Sequence, residues 1–106
     1  MAEKLTSKQR AYLMSLASSL DVILHVGKAS LTEEIIEAVN ETFNTRELIK
    51  IGVLKNCIDD PKLIAEAIAE NTNSTVVKVI GKKIILYKRD RDNQKIMLPR
   101  WINRVY

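Results

Sequence analysis

The stretch Val22 to Thr32, VILHVGKASLT, assembles residue types that can hold a phosphate. Val22, Ile23, Leu24 and Val26 are apolar over the length of a strand, Gly27 permits a positive φ, and Ser30 or Thr32 can cap a helix whose first turn carries Glu33 and Glu34. The free N–H groups of such a turn face solvent beside Lys28, and a helix N-terminus with unpaired donors attracts anions. The same order of strand, glycine and helix start also builds an ordinary α/β turn. The junction therefore gains meaning only from the elements around it.

Those elements read α-β-α-β-α-β-β. Thr6 or Ser7 starts a first helix with Tyr12, Leu13, Leu16 and Leu20 at helical spacing and Lys8, Gln9 and Arg10 in its first turns. Val22 to Val26 is the first strand, and Ile35, Ile36, Val39 and Phe43 form the apolar stripe of a second helix that ends near Asn44. Leu48 to Leu54 is a second strand with Ile49, Ile51 and Val53 on one face. Asp60-Pro61 supplies N-cap and N1 for a third helix through Leu63, Ile64, Ala67 and Ile68. Strand, helix and strand in that order imply a parallel crossover.

The last two strands form a hairpin. Val76 to Ile80 and Lys83 to Lys88 flank Gly81-Lys82, a two-residue link with glycine first that suits a type II′ turn. With Ile80 opposite Lys83, strict alternation puts Val77, Val79, Ile84 and Leu86 on a core face. The other face then carries Val76, Lys78, Ile80, Lys83, Ile85 and Tyr87, partly covered, with Lys82 and Lys83 as a basic tip. After Lys88 the pattern changes to RDRDNQKIMLPRWINRVY, a tail or short docked extension. It holds Trp101 between Arg100 and Arg104, able to stack on a base or to plug an apolar groove.

Composition bounds the function. The 106 residues, 46% hydrophobic with three Gly and two Pro, suffice for one core. Residues 1 to 77 hold eight Lys and Arg against eleven Asp and Glu, whereas residues 78 to 106 hold nine against two. That asymmetry favours a polyanionic partner, nucleic acid before an acidic membrane surface, although basic runs also serve solubility alone. No apolar run is long enough to span a membrane and the N-terminus does not read as a signal peptide, so a soluble cytoplasmic protein is expected. Cys57 and His25 are the only residues of their types, which leaves no internal disulfide and no Cys/His zinc site. His25 reads as a strand residue, Cys57 as a small buried one, and Glu47 as half of a turn-stabilising ion pair with Arg46. No catalytic constellation forms around a single histidine, so neither enzyme activity nor a cofactor or metal is expected.

LTSKQRAYLMSLA at Leu5 to Ala17, the VGKASLTEEII junction, RELIKI at Arg46 to Ile51 and VIGKKIILYK at Val79 to Lys88 occur in the order and spacing of the YhbY family. The chain resembles a stand-alone bacterial CRM domain over about Leu5 to Lys88. The resemblance implies a two-layer α/β domain with a four-stranded mixed sheet, similar to the C-terminal domain of translation initiation factor three, placed at residues 1–88; the change of pattern after Lys88 sets off residues 89–106 as a basic extension that the resemblance does not cover. It also implies binding of structured RNA, specifically ribosomal RNA on large-subunit precursors during ribosome assembly, by a monomer. In that family the strand–helix junction reads Gly-x-x-Gly, likened to the loop with which KH domains clamp a nucleotide backbone. Here Gly27, Lys28, Ala29 and Ser30 place a serine at the second glycine. Its Cβ hinders close approach, while its hydroxyl can cap the helix in a Ser30-x-x-Glu33 box. The expected RNA-binding set is Lys8, Arg10, Gly27, Lys28, Ala29, Ser30, Arg46, Lys82 and Lys83. A protein-interaction module, docking on ribosomal proteins or assembly factors through the hairpin face or the tail, is the alternative.

Overall fold

A computed structural model describes residues 4–90, Asp92 and residues 94–98. Trp101 and its flanking arginines lie outside the described residues. The elements are α1 (Ser7–Ala17), β1 (Val22–Val26), α2 (Glu33–Phe43), β2 (Leu48–Val53), α3 (Pro61–Thr72), β3 (Thr75–Ile80) and β4 (Lys83–Tyr87). Helix starts follow local chemistry. Thr6 and Gln9 form a reciprocal capping box on α1, Thr32 Oγ1 accepts the Ile35 N–H at 3.2 Å, and Asp60 accepts the Lys62 N–H at 2.9 Å ahead of Pro61. The Ser30–Glu33 box does not form, because the cap falls two residues later at Thr32.

The four strands form one mixed sheet in the order β1-β2-β4-β3, with β1 parallel to β2 and the other neighbours antiparallel. Odd residues of β2 (Ile49, Ile51, Val53) and Ile84 and Leu86 of β4 pack with Val39 and Phe43 of α2 and Ile64, Ala65 and Ile68 of α3. Leu48, Ile85, Tyr87 and Val77 meet Leu13 and Ala17 of α1, together with Leu5 and Leu98. The α/β class and the mixed four-stranded sheet agree with the sequence. The expected two-layer packing gains a covering on its second face, from α1 and residues 94–98.

The hairpin pairs Ile80 with Lys83 as expected, and Gly81 takes φ 56° while Lys82 does not adopt a positive φ, as a type II′ turn requires. Strict alternation fails further down β3. The register shifts between Val76 and Lys78, so Val76 joins Leu86 on the α2/α3 side and Val77 turns to the α1 side with Ile85 and Tyr87. The cause is a β-bulge, which inserts one residue and reverses the facing of what precedes it. Arg10 Nη1 donates to the carbonyls of both Val76 (2.6 Å) and Val77 (2.8 Å), occupying the two acceptors that the bulge leaves pointing at α1. Ile85 and Tyr87 are accordingly core residues, whereas Ile80 stays 48% exposed.

Candidate nucleic-acid interface

Parallel pairing of β1 with β2 makes both strands end at the same edge of the molecule, and the β3–β4 turn returns to that edge. Two hydrogen bonds fix the three connections together: Leu54 N–H donates to Val26 O and Val53 N–H to Lys82 O, both at 2.8 Å. Neighbouring strands lie about 4.8 Å apart, so the Gly27 loop and the Gly81-Lys82 turn, two strands away, are separated by roughly 10 Å. Exposed Lys28, Lys55, Lys82 and Lys83 all rise from this end.

The Gly27–Ser30 loop is a tight turn, closed by a 2.8 Å bond from Ser30 N–H to Gly27 O. Gly27 is not at positive φ; Ser30 is, at φ 58°. The left-handed conformation that the second glycine of the family pattern would adopt freely is thus held here by a residue with a Cβ, at a cost of about 1 kcal/mol. The Ser30 hydroxyl compensates by donating to the Asp59 carboxylate across the β2–α3 loop, with Cys57 Sγ 3.9 Å from the serine oxygen. The loop is therefore pinned at Ser30 while Lys28 and Ala29 project into solvent. Glu33 and Glu34 already occupy the first turn of α2 and neutralise part of its dipole. What this edge offers an anion is therefore its lysines and loop amides more than the helix end.

The remaining expected residues fall elsewhere. Lys8 and Arg10 start α1. Arg10 is committed to the β3 bulge, which lies about 13 Å down the strand from the Gly81 turn at roughly 3.4 Å per residue. Arg46 is exposed in the α2–β2 turn, at the opposite end of the sheet. The structure thus brings together Gly27, Lys28, Ala29, Ser30, Lys82 and Lys83, adds Lys55, and separates Lys8, Arg10 and Arg46 from them. Lys55 carries no motif of its own; its place follows only from the parallel register.

At that opposite end Glu47, expected as half of a turn-stabilising ion pair with Arg46, is 2% exposed and turns its carboxylate to backbone donors of the extension. Its carboxylate accepts the N–H groups of Asp90 (2.7 Å), Lys95 (2.7 Å) and Ile96 (2.6 Å), and its carbonyl accepts Lys88 N–H at 2.8 Å. The start of the extension is therefore integrated into the domain. Cys57 is buried, and His25 sits in β1 with its ring exposed. Among the described residues no group of three or more His, Cys, Asp or Glu gathers to hold a metal, and no helix is long and apolar enough to cross a membrane.

A small mixed-sheet α/β domain with a basic turn at one pole defines the class. Residues 5–88 match the CRS1 / YhbY (CRM) domain model. The chain is 41% identical over 95 residues to the Bacillus subtilis (strain 168) protein named probable RNA-binding protein YqeI, covering 90% of this chain and 99% of that one. It is 34% identical over 96 residues to an RNA-binding protein of Haemophilus influenzae, covering 91% and 96% of the two chains. The solution structure of the hypothetical protein SAV1595 from Staphylococcus aureus superimposes with a TM-score of 0.77 at 44% identity, over 91% of this chain and all of that one. The chain belongs to the CRS1/YhbY (CRM) domain family.

Proposed function

We propose that this protein binds structured RNA without transforming it, and that its target is ribosomal RNA in precursors of the large subunit during ribosome assembly in the cytoplasm. The observation that carries this reading is the convergence of Lys28, Lys55, Lys82 and Lys83 on one pole, around a tight turn whose tip is solvent-exposed. Ammonium groups on three separate loops suit phosphates along a folded backbone, and they fix position more than they read sequence. The relatives named as RNA-binding proteins support the RNA part of this reading.

A second reading draws on Leu54, Ile58 and Leu63, which are 44%, 92% and 64% exposed on the β2–α3 connection and the first turn of α3. Such apolar exposure beside the basic pole suits docking on a ribosomal protein or assembly factor. Salt separates the two. Phosphate-led binding weakens steeply between low and physiological salt, whereas apolar docking does not. Titration of the protein with large-subunit ribosomal RNA over a salt series tests the primary reading, which predicts a linear fall of log affinity with log salt.

A further inference from the structure

The α1 side of the sheet is covered only in part. Two transverse rows remain at its upper end: His25, Gly52, Lys83 and Ile80 are successive pairing partners across the four strands, and Val22, Lys50, Ile85 and Lys78 form the row below. Gly52 makes the upper row flat. A Cβ there would lie 3.1 Å from His25 Cδ2 and 3.2 Å from Val22 Cγ1, so the missing side chain is what lets the imidazole lie across β2. The ring is exposed, and Ile80 beside Lys83 is 48% exposed. Between these rows and the last turns of α1 lies an open cleft of about 180 Å³, lined by Met14, Ala17, Ser18, Lys50, Ile80, Lys83 and Ile85. Its floor is aliphatic, its rim carries two lysines, and no carboxylate of the described residues lines it.

We propose that this sheet face is a binding site for a short unpaired RNA segment, one base stacked on His25 and another seated against Ile80 at the cleft, with the intervening phosphates on Lys50, Lys78 and Lys83. The proposal rests on the RNA-binding reading above and adds a component that the loop lysines lack. An aromatic face and aliphatic floor recognise the base, whereas ammonium groups recognise only the backbone. Lys83 belongs to both surfaces, so a strand held by the Gly27 and Gly81 turns can continue onto the sheet without leaving a cation. Lysine stems lying along apolar sheet surface keep their charge at the rim and leave the floor accessible. Glu47 and Asp90 are at the far end of the sheet and α2 and α3 pack on its opposite face, which leaves Asp21, next to Val22, against Lys50, Lys78 and Lys83 on these rows, a balance that favours a polyanion.

Two probes separate base from phosphate: oligo(A), and an abasic ribose-phosphate oligomer of equal length. His25 is the chain's single histidine, so its ring proton resonances are unambiguous. Oligo(A) should shift them upfield by ring current while the abasic oligomer leaves them in place. His25→Ala and Ile80→Ala, both at exposed side chains, should weaken oligo(A) binding by about fivefold each and leave abasic binding unchanged, as expected when base stacking is removed. Lys28→Glu should weaken both probes. If the parent binds both oligomers equally, with the His25 resonances unmoved and the two variants behaving like the parent, the sheet-face site is overturned and the RNA reading stands. If the parent binds neither oligomer nor ribosomal RNA, the RNA reading itself fails.

Discussion

The two ends of this sheet handle polar backbone in opposite ways. At the lower end, one buried carboxylate, Glu47, takes up the N–H groups of three residues that lie 43 to 49 positions away in sequence. At the upper end the anchor is the Ser30 hydroxyl on Asp59, near the surface, and the loops around it present lysines and amides outward. The lower end takes up these three backbone donors internally and closes the fold. The upper end keeps its capacity for a ligand. Charge count alone does not distinguish them, since Arg46, Lys88 and Lys95 lie at the lower end as well; what differs is that the backbone donors there are drawn onto a buried carboxylate.

The largest expected effect comes from breaking the closed end. Glu47→Ala should cost about 3 kcal/mol in urea unfolding, because three backbone donors are deprived of a charged acceptor inside the structure. Hydrogen exchange at Lys95 and Ile96 should accelerate more than exchange in β2, while RNA affinity measured well below the unfolding midpoint stays near the parent value. A Glu47 variant that unfolds normally but no longer binds RNA would reverse the roles assigned to the two ends.

Lys28→Glu should act in the opposite sense. Stability should stay within about 0.5 kcal/mol of the parent, as for most exposed substitutions. The slope of log affinity against log salt should flatten by about one unit, because one ammonium–phosphate interaction disappears and one fewer counterion is released. Unchanged affinity and slope would remove Lys28 from the interface. A smaller weakening, spread evenly over different RNA sequences, is expected for Lys82→Ala combined with Lys83→Ala, and it should deepen when Lys55→Ala is added. A triple variant that binds like the parent would leave those lysines as solubilising residues and favour the apolar β2–α3 surface.

The smallest effect sharpens the comparison at its finest point. Ser30→Gly relieves a left-handed residue of about 1 kcal/mol and removes the surface bond to Asp59, of about the same size, so stability should barely change. Ser30→Ala removes the bond and keeps the strain, and should cost about 1 kcal/mol in the same denaturation assay. Equal behaviour of the two variants would mean that residue 30 carries no left-handed strain, and a Ser30→Ala variant as stable as the parent would mean that the Ser30–Asp59 bond does not hold the loop. The glycine variant should also bind RNA more tightly if backbone approach is limited by the serine Cβ.

The element order is legible in the chain because its signals are local: Thr6 with Gln9, Asp60-Pro61 and Gly81-Lys82 each act within a few residues. The Gly27–Ser30 turn is legible for the same reason, though not which residue caps α2, since Ser30 is drawn away by Asp59 on another loop. Two features have no local signal. The bulge that exchanges Val76 and Val77 depends on a guanidinium 66 residues distant, and the role of Glu47 depends on backbone amides that carry no side-chain signature. Motif and charge point to nine site residues, but which of them cluster is a property of strand register. Register joins Lys28 to Lys82 and admits Lys55, while it leaves Arg10 and Arg46 on other parts of the surface.

Ultraviolet crosslinking in living cells, followed by mass spectrometry of RNA–peptide adducts, tests the central claim most directly. The account predicts adducts on residues 27–30 and 81–83, joined to ribosomal RNA of large-subunit precursors. Adducts confined to the Arg46 and Lys95 end, with none on either upper loop, would contradict it.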